Sequence, residues 1–230
     1  MPAETNITTF ERFINTIDYL SLEGRIHVPF ISIEGIDGSG KTEQVRLLVE
    51  RLRNAGQTVL QTKEPDGGRL GMEVRAILVA PDRQLTPAEQ LLLVSAARFD
   101  HVRSVIRPAL ANGKWVISDR FIDSTYAFQV AVSDVDLHQL FRSTCEIVVG
   151  ATLPDLTIIL DLPLEVALGR RGLRRDGVLD PAEATRDFAA IRHGLLVMAR
   201  EAPERCHVVD ANQTVDAVAC DIWRIVENLL

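Results

Sequence analysis

The chain has 230 residues, 47% of them hydrophobic and 25% charged, with a formal net charge of −7 at pH 7. That length and composition suit one α/β domain with a sizeable core and leave little room for a second. The acidic balance argues against nucleic acid as the main partner, since binding a polyanion needs a basic face, and no stretch approaches the roughly 20 apolar residues of a membrane helix.

Residues 1–28 form an N-terminal extension. It starts MPAETNITTFER, with neither a basic nor an apolar leader, so no secretory signal is expected. Phe10, Phe13, Ile14, Ile17 and Leu20 recur at helical spacing, and Thr8 or Thr9 is placed to cap the helix. Such a helix packs on its own domain or serves as a partner-docking arm. Three cysteines, Cys145, Cys206 and Cys220, lack metal-ligand spacing and read as core thiols of a reducing, cytoplasmic compartment.

From Pro29 onward strands alternate with helices. PFISIEG (29–35) reads as a buried strand, and the segment after Lys41 as a helix carrying Val45, Leu47, Leu48 and Leu52. Further strands are predicted over 58–62, 114–118, 155–162 and 206–210, with helices over 70–80, 87–111, 122–132, 135–149, 163–173, 181–201 and 214–229. Apolar strands with helical spacers predict a parallel sheet covered on both faces. GRRGLRRDG (169–177) reads as a mobile loop.

Between the first strand and its helix stands Gly35-Ile-Asp-Gly-Ser-Gly40-Lys41-Thr42, which satisfies G-x-x-x-x-G-K-[ST] at every fixed position. Its glycines let successive N–H groups turn inward on phosphate oxygens, and the helix N-terminus adds partial positive charge. Gly35, Asp37, Gly38, Ser39 and Gly40 thus frame a nucleoside triphosphate. Lys41 reaches the β- and γ-phosphates, and Thr42 offers a hydroxyl to Mg²⁺. No guanine-reading Asn-Lys-x-Asp segment follows, which leaves a compact kinase.

Four later segments, in order, resemble the thymidylate kinase family: Thr62-Lys-Glu-Pro-Asp-Gly-Gly68 with Leu70-Gly71 and Arg75; Ala96-Ala-Arg98 with Val105-Ile-Arg-Pro-Ala-Leu110; Trp115-Val-Ile-Ser-Asp119-Arg120-Phe121 running into Asp123-Ser-Thr-Tyr-Ala-Phe-Gln129; and Pro154-Asp-Leu-Thr with Leu160-Asp161. The resemblance spans residues 29–230. It implies a three-layer nucleoside monophosphate kinase fold, a five-stranded parallel sheet flanked by helices with an arginine-rich lid near 169–181. The implied reaction moves the ATP γ-phosphoryl group to dTMP, and the family also implies a homodimer. Asp119-Arg120-Phe121, in place of Glu-Arg-Ser, favours a monophosphate acceptor over a nucleoside.

Within that resemblance Asp119 organises Mg²⁺ with Thr42, Glu64 stands behind the metal, and Arg120 bridges the acceptor and transferred phosphates. Lys63 holds the acceptor phosphate, Asp37 faces the deoxyribose hydroxyl, and Arg98 reads a base carbonyl. Leu70, Ser124, Thr125 and Gln129 complete the acceptor pocket, and Phe128 crowds the sugar 2′ position. The phosphate loop has no arginine at Ile36, Asp37, Gly38 or Ser39, so an arginine finger is expected among Arg170, Arg171, Arg174 and Arg175, with Arg170 and Arg174 chosen.

Five positions depart from the family pattern. Lys63 stands for an arginine, Val94 for the aromatic that stacks on thymine, and Val130-Ala131-Val132 for a glycine-rich stretch. Pro181 stands for an arginine and Leu195 for a tyrosine. The donor side is intact while the acceptor side is altered. Three readings remain open on the sequence: a dTMP kinase with a compensated pocket, a kinase for another deoxynucleoside monophosphate, and a nucleotide-binding regulatory protein without turnover.

Overall fold

The computed structural model describes residues 28–80, 82–172 and 186–230. The N-terminal pattern of residues 1–27 lies outside the described residues, as does the segment 173–185 with Arg174, Arg175 and Pro181. Strands β1 (Phe30–Gly35), β2 (Val59–Lys63), β3 (Trp115–Asp119), β4 (Leu156–Asp161) and β5 (Cys206–Asp210) form a parallel sheet in the order β2-β3-β1-β4-β5.

Every residue of central β1 is buried. Ile31 and Ile33 enter one core and Phe30 the other, so both faces of the strand are apolar and the sequence shows a continuous run instead of alternation. Helices α1 (Lys41–Asn54), α8 (Phe188–Glu201) and α9 (Val215–Val226) close the first core. Helices α3 (Pro87–His101), α5 (Ile122–Thr125) and α6 (His138–Val148) close the second. The other helices are α2 (Arg69–Leu78), α4 (Arg107–Ala111) and α7 (Leu164–Gly172). Register places Ile33 opposite Asp119 and Gly35 opposite Leu160, so β1, β3 and β4 end together at the carboxyl edge where parallel sheets open a crevice.

The predicted helix over 87–111 is interrupted. α3 starts on a capping box between Thr86 and Glu89 with Pro87 in its first turn. It then widens to a π-helical turn over Val102–Ile106, where Arg107 N–H bonds the Val102 carbonyl. Pro108 supplies no N–H, and its ring would press on the Ser104 carbonyl in a continuous α-helix, so the wider turn relieves that conflict.

The predicted helix over 122–132 likewise widens over Tyr126–Val130, with Ala131 N–H on the Tyr126 carbonyl. Gly194 of α8 packs against this turn. A Cβ there would come within 2.7 Å of Ala131 Cβ and 3.0 Å of Ala127 Cα. The helix predicted from 135 starts at His138, because the Asp136 carboxylate accepts the His138 N–H and holds a turn ahead of it. Cys145 and Cys206 are core thiols as expected, whereas Cys220 is exposed on α9. No described helix is long and apolar enough to cross a membrane.

Candidate active site

β1 runs straight into the phosphate loop, whose Gly35, Gly38 and Gly40 all take positive φ. Gly38 is fixed by close approach as well: a Cβ there would lie 2.3 Å from the Ala167 carbonyl oxygen of α7. The Ser39 hydroxyl is buried without a hydrogen-bond partner. Lys41 Nζ donates to the Gly35 and Ile36 carbonyls at 3.0 and 3.1 Å and lies 3.8 Å from Asp37. Burial and the nearby Arg120 cation bring the Lys41 ammonium down to about 8. A buried lysine cation and an orphaned hydroxyl on a loop of inward-turned backbone fit an anionic phosphate ligand.

The end of β3 faces this loop. Thr42 Oγ1 donates to Asp119 Oδ2 at 3.0 Å, which places two hard oxygen donors side by side. The next residue, Arg120, has φ of 75°, a left-handed conformation that costs a branched side chain energy and turns its guanidinium back across the crevice. Its Nη1 donates to the Gly35 carbonyl at 3.1 Å and to Ser124 Oγ at 3.0 Å, and its Nη2 to Asp37 Oδ1 at 2.5 Å. Burial alone would raise Asp37, but Arg120, Lys41 and Arg186 hold its carboxyl well below the usual range.

Two cavities meet over Arg120. One, of about 150 Å³, is lined by the basic Lys41, Lys63, Arg75 and Arg120. The acidic Asp37, Glu64, Asp66 and Asp119 line the same space. The other, of about 180 Å³, is the acceptor-side pocket, with Leu78, Val79, Val94 and Phe128 as apolar walls and Arg98, Ser124, Thr125 and Gln129 as polar ones. Asp37, Glu64, Arg75 and Arg120 border both.

The polar wall is held by a buried network. Arg98 Nε donates to Glu64 Oε2 at 2.7 Å, and its Nη2 to the Phe121 carbonyl and Thr125 Oγ1 at 3.1 and 2.8 Å. The other Glu64 oxygen lies 3.0 Å from His101 Nδ1, while His101 Nε2 is 2.7 Å from Thr62 Oγ1. Beneath α5, Glu34 accepts the Phe121 N–H at 2.6 Å and the Ser124 hydroxyl at 2.5 Å. Burial, with Asp123 nearby, pushes the Glu34 carboxyl up to about 8. Asp123 is clasped by Arg205 at 2.7 and 2.8 Å.

Lys41, Thr42, Asp119, Arg120, Asp37, Lys63, Arg98, Ser124, Thr125, Phe128 and Gln129 are therefore brought together around one cleft. Three residues sit differently from the expectation. Leu70 is 37% exposed and outside both linings. Leu195 is packed in the core, and Arg170 donates to the Ala211 and Gln213 carbonyls beyond β5. Glu64 borders the cleft, but each of its oxygens is engaged by Arg98 or His101.

The arginine that does reach the cleft is Arg186, whose Nη1 donates to Asp37 Oδ2 at 3.2 Å. It and Arg120 flank the Phe128 ring at 5.4 and 4.8 Å. Arg171, over the Phe188 ring at 4.5 Å, is the lid-helix arginine beside Gly38. No local spacing announces Arg186. Glu34 was visible as a carboxylate inside an otherwise apolar strand, a placement that needs a partner.

The thymidylate kinase family model matches residues 33–222. A thymidylate kinase of Thiobacillus denitrificans is 40% identical over 210 residues, covering 91% of this chain and all of that relative. One from Jannaschia sp. is 45% identical over 203 residues, covering 86% and 95% of the two chains. The crystal structure of thymidylate kinase from Ehrlichia chaffeensis superposes with a TM-score of 0.69 at 30% identity, covering 87% of this chain and all of that one. A family model spanning most of the chain, and relatives matched along nearly their whole length, show that this chain belongs to the thymidylate kinase family.

Proposed function

We propose that the chain transfers the γ-phosphoryl group of ATP to dTMP, giving ADP and dTDP. The observation that carries this reading is the placement of Arg120, whose one guanidinium touches the phosphate loop at Gly35 and Asp37 and the acceptor pocket at Ser124 and Phe128. A phosphate oxygen of the acceptor attacks the γ-phosphorus while the bond to the β-phosphate oxygen breaks. Two anions must approach for this, so the protein's work is positioning and charge neutralisation.

Lys41 gives up its two carbonyl partners for phosphate oxygens, and Arg120 spans donor and acceptor. Thr42 Oγ1 and Asp119 would hold Mg²⁺, a fit supported by their adjacent hard oxygens. When bound, that ion neutralises charge on the β- and γ-phosphate oxygens. Arg98, fixed on Glu64, leaves its Nη1 for a base carbonyl, and Ser124, Thr125 and Gln129 line the same pocket. Phe128 stands against the sugar, with Asp37 aimed at its hydroxyl between two arginines. With the lid segment 173–185 undescribed, Arg186 takes the place of the arginine expected from residue 170, opposite Arg120 across Asp37.

Two further readings belong to this proposal. The enzyme works as a cytoplasmic homodimer, pairing through the α3 face that exposes Leu92 at 51% and Phe99 at 44%. A sedimentation experiment at micromolar concentration checks the dimer, and a stable monomer overturns it. The decisive assay couples ADP release to ATP-Mg²⁺ with dTMP, dUMP, dGMP, dAMP, dCMP and their ribose counterparts. Preference for dTMP supports the proposal. Preference for another monophosphate makes the ring-free wall at Val94 a specificity change, and no turnover overturns the kinase reading.

A further inference from the structure

Asp66 lies in the turn between β2 and α2, and its side chain is 5% exposed. Its Oδ2 is 2.6 Å from Lys63 Nζ and its Oδ1 3.6 Å from Arg75 Nη1. That Oδ1 is buried and has no hydrogen-bond partner. All three residues line the phosphate cavity beside Thr42 and Asp119, and Arg75 also borders the acceptor pocket.

Holding a carboxylate oxygen out of water without a donor is costly, so the turn alone does not account for it. The two cations beside it are differently placed. Lys63 and Arg75 are 62% and 51% exposed at the side chain and have room to swing, whereas Asp66 does not. The cavity offers as many acidic as basic side chains, an unusual balance for a space meant to receive phosphates.

We infer that Asp66 is a built-in competitor of the acceptor phosphate. It occupies Lys63 and Arg75 in the empty cleft, and an incoming phosphomonoester must take both cations from it. Asp66 therefore weakens acceptor binding without touching the donor. The effect requires a phosphate: a nucleoside lacking one leaves the Asp66 pairs undisturbed. The inference rests on the reading of this cleft as the acceptor-phosphate site.

The test is Asp66→Asn, nearly isosteric and uncharged, with Asp66→Ser as a second variant should the first melt below the wild type. Removing one charge from a half-exposed pair should lower the dTMP KM by about three- to tenfold. The ATP KM, kcat and thymidine affinity should stay within about twofold, because none depends on the contested cations. The gain should shrink as ionic strength rises, which a repacked turn would not do. An unchanged or raised dTMP KM in a folded variant overturns the inference.

Inorganic phosphate, titrated with ADP present to fill the phosphate loop, separates this inference from the functional reading. Tighter phosphate binding by Asp66→Asn in a protein that does not turn over dTMP leaves the inference standing and the functional reading refuted. Equal phosphate affinity in wild type and variant refutes the inference whatever the acceptor.

Discussion

The phosphate loop and the acceptor pocket meet over Arg120 but are built from different materials. The loop is eight consecutive residues whose positive-φ glycines shape the backbone, with few side-chain contacts beyond Lys41 and Thr42. The pocket is assembled from β2, α3, α5 and the start of α8, and held by side chains: Glu64 on Arg98 and His101, Glu34 on Ser124, and Asp123 on Arg205. A backbone-built site tolerates side-chain loss structurally while losing chemistry. A site built from buried charges risks its fold when one partner goes, since an unpaired charge is left in the interior.

The largest expected effect tests the first half of that contrast. Lys41→Ala should lower kcat by about 10²- to 10³-fold, the cost of removing one preorganised charge from developing phosphate charge. Urea unfolding should move by no more than about 1 kcal/mol, since only two hydrogen bonds to carbonyls are lost. A comparable loss of stability and activity would erase the distinction.

Glu64→Ala tests the other half. Stripping Arg98 of its buried partner should cost about 3–5 kcal/mol of unfolding free energy. Glu64→Gln, which keeps hydrogen-bonding capacity, should cost less. A native-like melting curve for Glu64→Ala would mean that Thr125 and the Phe121 carbonyl suffice to hold Arg98.

A smaller effect concerns the arginines. Arg186→Ala removes a charge-assisted bond to Asp37 and should lower kcat/KM by about tenfold. Arg170→Ala, whose partners are the Ala211 and Gln213 carbonyls, should change it by less than about twofold. Steady-state kinetics of both variants decides, and the reverse ranking would restore Arg170 to the cleft.

The mildest handle is pH. Glu34 is raised from 4.5 to about 8 in the fold. The native state therefore keeps a proton that the unfolded chain has released, and the stability tied to this group falls as pH rises across that window. Urea unfolding from pH 5 to 9 should show this decline in the wild type, and Glu34→Gln should flatten it. Identical slopes would mean that Ser124 and Phe121 N–H stabilise the ionised carboxylate enough to keep it charged.

The same division governs how much was legible in the sequence. The phosphate loop, its flanking strand and helix, and the parallel sheet follow from local pattern, because contiguous residues build them. Arg98, Ser124, Thr125, Phe128 and Gln129 could be read only through family resemblance, since nothing near them in sequence requires a ligand. Arg186 was missed and Arg170 chosen because the pairing with Asp37 spans 149 residues. Spacing within a basic stretch says nothing about which side chain crosses such a distance. The interrupted helix before Pro108 was readable in principle from the missing N–H, whereas the wider turn at Tyr126–Val130 had no proline to announce it.

That wider turn also constrains how the gene can change. In an α-helix each residue advances the face by about 100°, and a π turn carries one residue more between bonded groups. Deleting a single codon within Tyr126–Val130 would let an ordinary helix form, with α5 still tied down by Ser124 on Glu34. Residues beyond the deletion would swing by about 100°, carrying Gln129 off the wall it shares with Thr125. Selection can exchange side chains along this stretch one at a time, but its length is locked by the register of the pocket.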